Sequence, residues 1–122
     1  MLKIIICMKR RPEMSREEFQ AYWRDVHSKV VREVAGPMGL RRNVHNHTIS
    51  TPLDERIRQG RGAPQDDFDG VAESWFDSVE ALVAATSTAE GRRAAQRLAE
   101  DEARFIDFSR SRIFFVNEDV VI

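Results

Sequence analysis

Cysteine is nearly absent from this 122-residue chain: Cys7 is the only one. A single thiol cannot close a disulfide within one chain, so no disulfide framework holds the fold. No apolar run approaches the length that spans a bilayer, which predicts no membrane partner. Charge of one sign is lacking too, with 19 Lys and Arg against 20 Asp and Glu and a net charge of -1. That balance leaves no electrostatic footprint for nucleic acid. The one dense basic cluster, Lys9-Arg10-Arg11, faces Glu13, Glu17 and Glu18 and reads as a solvated strand end. There is no Gly-rich phosphate loop, no serine elbow and no cysteine pair. The apolar start, Met1 to Cys7, is too short for a secretion signal and has no small-residue cleavage site, so the expected setting is the cytoplasm.

What is present is an ordinary globular composition, 42% hydrophobic and 32% charged, in a length typical of one domain. The whole of 1–122 is expected to be that domain, without repeat or linker. Leu2 to Met8, with three consecutive isoleucines, has the length and β-branching of a strand buried on both faces. Ser15-Arg16-Glu17-Glu18 is a capping box. Behind it Phe19, Tyr22, Trp23, Val26, Val30 and Val34 recur at helical spacing, and Gly36-Pro37 predicts a stop near Ala35. Leu40 to Ile49 reads as a second strand. Thr51 to Asp67 has two prolines, two glycines and no apolar period, which predicts a long loop of the kind that often serves function. Phe68 to Phe76 alternates as a third strand. Ser78 opens a second helical region with Val79, Leu82 and Val83 as its stripe, and Ser87-Thr88-Ala89-Glu90 divides it. The restarted part runs to about Ala103 with Ala94, Ala95 and Leu98 inward, and Arg112 to Val121 is the last strand.

The order β-α-β-β-α-β, second helix divided, predicts an α+β ferredoxin-like fold with a four-stranded antiparallel sheet. Helices cover one face of such a sheet. Val71 and Trp75 share a face with Glu73, and a second copy could bury it, so the expected assembly is a homodimer through the sheet face.

Three histidines and nearby acids carry the possible chemistry. His27 lies about 60° from the centre of the apolar stripe at 100° per residue, where an imidazole can face a cavity between helix and sheet. There it either relays protons or is a boundary histidine satisfied by backbone or water. His45 and His47, at i and i+2 with Asn43, share one strand face; they are metal ligands lacking a fixed third partner, or a polar face lining a cavity. Glu73, among apolar neighbours, is either an acid/base with a pKa raised by desolvation or a structural partner of Arg42 or Arg112. Tyr22 and Trp23 read first as core, and Trp75 as a wall for a planar ligand. Asp101, Glu102 and Asp107 read as solvated or capping acids.

Phe19-Gln20-Ala21-Tyr22-Trp23-Arg24-Asp25-Val26-His27 resembles the F-x-x-Y-W-x-x-x-H helix signature of the EthD family. Leu40-Arg41-Arg42 through Asn46-His47 is similar to its second strand. Phe68 to Ser78 is similar to its Y-D-G-x-A-E-x-W-F-x-S run, and Asp101-Glu102 with Phe105-Ile106-Asp107 to its late D-E-x-x-F-I-D stretch. The resemblance implies a dimeric α/β barrel, a fold shared with lactone isomerases, polyketide cyclases, dehydratases and small monooxygenases, several working without metal or organic cofactor. Carried over, it implies His27 and Glu73 as catalytic groups, and Trp75, His47, Tyr22 and Trp23 as substrate-binding ones. Asn43 and Phe68 stand where the family commonly has tyrosine. The expected activity is cofactor-free acid/base chemistry on a small cyclic, aromatic or polyketide-like substrate, of isomerase, cyclase or dehydratase type. The alternatives are an oxidoreductase or an accessory to a cytochrome P450 or other oxidation system, and a non-catalytic small-ligand-binding protein.

Overall fold

Three consecutive isoleucines place the first strand at the middle of the sheet rather than at its edge. In a computed structural model describing residues Met1–Ile122, β1 (Leu2–Met8) pairs antiparallel with β3 (Gly70–Phe76) on one side and with β4 (Arg112–Val116) on the other. β2 (Arg42–His47) completes the sheet against β3, giving the order β2-β3-β1-β4. This is the four-stranded ferredoxin-like arrangement. The helices are α1 (Arg16–Tyr22), a π-helical turn (Trp23–His27), α2 (Ser28–Met38), α3 (Pro52–Gly60), α4 (Val79–Ser87) and α5 (Ala89–Glu102).

The capping box at Ser15 forms as expected: the Glu18 amide donates to Ser15 Oγ at 3.1 Å and the Ser15 amide to Glu18 Oε1 at 3.2 Å. The helical region from α1 through α2 does not stop at Ala35. It runs through Pro37 to Met38 and ends at Gly39, whose φ of 71° is the left-handed conformation glycine accepts. Met38 is buried with Val30, Val34 and Ala94, and that packing offsets the bond proline removes. Residues 51–67 are not all loop. Thr51 Oγ1 accepts the Asp54 amide at 3.2 Å, Pro52 opens the first turn and Arg58 pairs with Asp54 at 2.8 Å, so α3 forms. None of its residues is buried, which is why no apolar period announced it. The second helical region divides at Thr88, whose hydroxyl caps α5 through the Gly91 amide. The stripe expected on α4 is not buried: Val79 and Val83 are exposed. β2 and β4 are each shorter than the sequence predicted, and β4 ends at Val116.

Strand alternation and register assign the faces. Ile4, Ile6 and Met8 of β1 lie with Ala72, Ser74 and Phe76 of β3 and with Asn43, His45 and His47 of β2. This face packs on the helices, where Met8, Phe19, Trp23, Ala72, Phe105 and Ile106 form the main core. Full burial of each large side chain contributes about 1.5–3 kcal/mol. The opposite face carries Lys3, Ile5 and Cys7, Val71, Glu73 and Trp75, Val44 and Asn46, and Phe114. No helix of this chain covers it. Cys7 is therefore half-buried on that open face rather than sealed in the core, and burial raises its pKa. No helix is long and apolar enough to cross a membrane.

Candidate active site

The helix widens at Trp23–His27, where the Ser28 amide reaches back five residues to the Trp23 carbonyl. Such π turns occur often at functional sites because they re-aim side chains. Here the turn buries both Trp23 and His27. His27 is 4% exposed and sits 2.7 Å, Nδ1 to Oδ2, from Asp101 near the end of α5. The other oxygen of Asp101 accepts the Tyr22 hydroxyl at 2.7 Å. Asp101 is itself buried. Burial works to raise its pKa, but the bonds from Tyr22 and His27 outweigh that and leave it lowered, so it is ionised at neutral pH. An ionised carboxylate only accepts hydrogen bonds, so His27 Nδ1 carries the proton it shares with Asp101. His27 Nε2, with no partner in the chain, is then the free lone pair. Desolvation lowers the pKa of His27 against the opposing pull of Asp101, which keeps the ring neutral at pH 7.

β2 supplies the second set of groups. His45 stacks on Trp23, centroids 4.5 Å apart and planes 23° apart, and lies 6.2 Å from the His27 ring. Desolvation above all, with the Arg32 charge and repulsion from His27 and His47 once those rings are protonated, pushes its pKa down to about 4. His47 packs at 4.7 Å against the same indole, and its Nδ1 is buried without a partner. Gly70 makes this stacking possible. A methyl group there would fall inside the indole ring of Trp23, with Cη2 only 2.9 Å away. Asp69 beside it is 1% exposed. Burial works to raise its pKa, but the Arg10 amide at 2.7 Å and the guanidinium groups of Arg16 and Arg10 hold it lowered. This network fixes the start of β3 under the tryptophan.

A small internal cavity of about 50 Å³ lies between sheet and helices, lined by His27, His45, Asn43, Ser74 and Glu102 among apolar side chains. Glu102 has a desolvated carboxyl beside the charge of Asp101, which pushes its pKa up to about 7. Next to the cavity, sharing Val31, Leu40, Asn43 and His45 with it, a cleft of about 450 Å³ opens between the start of α2 and β2. The arrangement can take up and return protons: one neutral imidazole backed by a carboxylate, a second imidazole and a carboxyl close to half-protonated at pH 7.

The structure brings His27, Tyr22, Trp23 and His47 together, and does not bring Glu73 and Trp75 to them. Both belong to the open face, so the pairing of His27 with Glu73 is not formed. Glu73 bonds Lys3 at 2.6 Å and Asn46 at 3.0 Å, rather than Arg42 or Arg112. These bonds outweigh desolvation and lower its pKa, which sets Glu73 with the structural-partner reading, although its partners are Lys3 and Asn46. Trp75 has Lys3 4.6 Å and Arg42 4.8 Å from its ring centroid, and its indole N–H donates to Glu118 at 2.6 Å. Asn43, His45 and His47 do share a face, as their spacing predicts. No three His, Cys, Asp or Glu side chains converge as a metal site would require. Asp101 and Glu102, which read in the sequence as solvated or capping acids, differ from that: Asp101 is buried against His27 and Tyr22, and Glu102 lines the small cavity. Asp107 does cap, accepting the Ser109 amide at 3.1 Å. The signal for Asp101 was its place three residues beyond the inward Leu98, on the buried edge of α5.

The EthD domain model matches residues 11–109. The chain is 28% identical over 114 residues to a protein of Paecilomyces divaricatus named decarboxylase AgnL1, covering 92% of this chain and 74% of that one. An EthD family protein from Bacillus halodurans superposes with a TM-score of 0.63 at 20% identity, covering 98% of this chain and 99% of that one. SnoaB, a cofactor-independent oxygenase from Streptomyces nogalater, superposes with a TM-score of 0.55 at 11% identity, covering 99% and 95%.

Proposed function

The chain belongs to the EthD domain family, and on that footing we propose that it is an acid/base enzyme acting on small cyclic, aromatic or polyketide-like molecules without a bound cofactor. The observation that carries this reading is the buried pair of His27 and Asp101, 2.7 Å apart, with Tyr22 on the second carboxylate oxygen. His27 Nε2 removes a proton from an acidic C–H or O–H of the substrate, and Asp101 stabilises the imidazolium that forms. The imidazolium, or the protonated Glu102 carboxyl, returns a proton to another carbon, to the alkoxide formed when the enolate carbon closes onto a carbonyl of the same molecule, or to a departing hydroxide. Those endings are isomerisation, cyclisation and dehydration. The decarboxylase name of the Paecilomyces relative fits the same machinery, since a carbanion left by CO2 also needs a proton. The ring of the substrate occupies the cleft, and its reacting edge reaches past His45 into the small cavity. His47 and Trp23 bound that path, while Tyr22 positions Asp101.

The open sheet face supports a homodimer. It carries Ile5, Val44, Val71 and a 46%-exposed Phe114, and an apolar face of this kind otherwise invites aggregation. Glu73 and Trp75 then belong to the dimer interface. A cytoplasmic setting is part of the same reading.

The test is incubation in D2O with a panel of cyclic ketones, lactones and aromatic hydroxy acids, read by mass spectrometry. Wild-type protein is expected to exchange or convert at least one of them, and His27→Ala to do so about 10²–10⁴-fold more slowly. Unchanged turnover in His27→Ala refutes the role of His27. Tight binding of a panel compound with no chemical change refutes catalysis and leaves a binding protein.

A further inference from the structure

The cleft beside the small cavity has walls of one sign. Arg24, Ser28 and Arg32, spaced by four residues, form one helical stripe along it, and Arg41 and Arg42 stand on the β2 side. No acidic residue lines the cleft, although acids slightly outnumber Lys and Arg in the chain as a whole. The four guanidinium groups are not equivalent. Arg41 is held by Asp77 through two bonds of 3.1 and 2.8 Å. Arg42 lies over Trp75, turned toward the open face. Arg24 touches Asp25 at 3.2 Å in an exposed pair. Arg32 makes a single long contact, 3.5 Å to the Ser28 hydroxyl, and enters no ion pair. Arg24 and Arg32 line the cleft together with His45 and His47, and their charges add to desolvation in lowering the pKa of the histidines, Arg32 on His45 and Arg24 on His47. Val31, Ala35 and Leu40 supply an apolar wall between them.

We propose that this cleft selects a ring bearing a carboxylate, and that Arg32, assisted by Arg24, anchors the carboxylate while the ring lies on Val31, Ala35 and Leu40. A guanidinium fork matches a carboxylate in geometry, and the pair is stronger than a neutral hydrogen bond. The walls offer the anion no repulsion, and a neutral isostere leaves Arg32 as it is in the free protein. This specificity rests on the acid/base reading of the adjoining cavity, because it orients the ring with its far edge toward His45 and His27.

The experiment is calorimetric titration of the full chain with 2-naphthoate and with uncharged 2-naphthylmethanol, which share ring and size. Naphthoate is expected to bind at least tenfold more tightly, about 1.4 kcal/mol, with affinity that falls as salt is raised, since Arg32 is exposed. Arg32→Gln should weaken naphthoate about tenfold and leave the alcohol unchanged. Arg56→Gln, on α3 away from the cleft, should change neither. Equal affinity for acid and alcohol, equal loss for both in Arg32→Gln, or no binding of naphthoate overturns the proposal. Arg32-dependent binding without any chemistry overturns the acid/base reading alone. Chemistry that ignores Arg32 overturns this one alone.

Discussion

Glu102→Gln should stabilise the protein at pH 8, although it removes a charged group from the region of the site. The carboxyl ionises near pH 7 in the folded chain, because desolvation and the Asp101 charge disfavour its anion. In the unfolded chain it ionises near its ordinary value of 4.5. Between those limits the folded state binds more protons than the unfolded state, so stability falls as pH rises from 4.5 and levels off above 7. That upward shift is worth about 3 kcal/mol, at roughly 1.4 kcal/mol per pK unit. An amide left without its own partner returns about 1 kcal/mol or more of that. Denaturant unfolding across pH 4.5–9 reads both chains, and their difference isolates this group from every other titration. The variant should lose the decline between pH 4.5 and 7 and be about 1–3 kcal/mol more stable at pH 8. Parallel curves, or a variant less stable at pH 8, refute the placement of this carboxyl against the cavity. A stabilising substitution that also slows turnover would mark Glu102 as a group retained for chemistry rather than for the fold.

Asp101→Asn should lower turnover by about 10²–10⁴-fold, because the amide can donate to His27 Nδ1 and no longer stabilises an imidazolium; steady-state rates on a panel substrate read this. Gly70→Ala should cost about 1–3 kcal/mol through overpacking against Trp23, read by denaturation together with a change in tryptophan emission as the stack with His45 opens. Phe114→Asp should abolish the proposed sheet-face dimer, so that the variant sediments as a monomer where the wild type sediments as a dimer, with far-ultraviolet circular dichroism unchanged because Phe114 is outside the helix-side core.

The central strand and the first helix were legible in the sequence because their signals are local: Ile4 to Ile6 are an unbroken β-branched apolar run, and Ser15 with Glu18 closes a capping box by itself. Helix α3 was not, because a helix that buries nothing writes no period, and only its cap at Thr51 and Asp54 betrays it. Gly36-Pro37 misled for the opposite reason, since the burial of Met38 is tertiary and outweighs a local stop signal. In the site, His27 and the shared face of Asn43, His45 and His47 follow from helix and strand periods alone. Glu73 and Trp75 share a face by the same rule, but alternation does not say which face the helices cover. Register does: His45 lies opposite Ala72 rather than Glu73, and that sends Glu73 to the other side. Asp101 is 74 residues from His27, on a helix whose composition is that of a solvated surface, so only the packing of α5 against α2 reveals the pair.

The protonation of His27 tests the central claim most directly, since a base oriented by Asp101 must be neutral with its proton on Nδ1. Long-range proton–nitrogen correlation spectra of the imidazole groups at pH 7 report it, with His27→Ala supplying the assignment. The account predicts a neutral ring, Nδ1 protonated and Nε2 bare, that moves to the other tautomer or to exchange between both in Asp101→Asn. A proton on Nε2, or a charged imidazolium at pH 7, would contradict it.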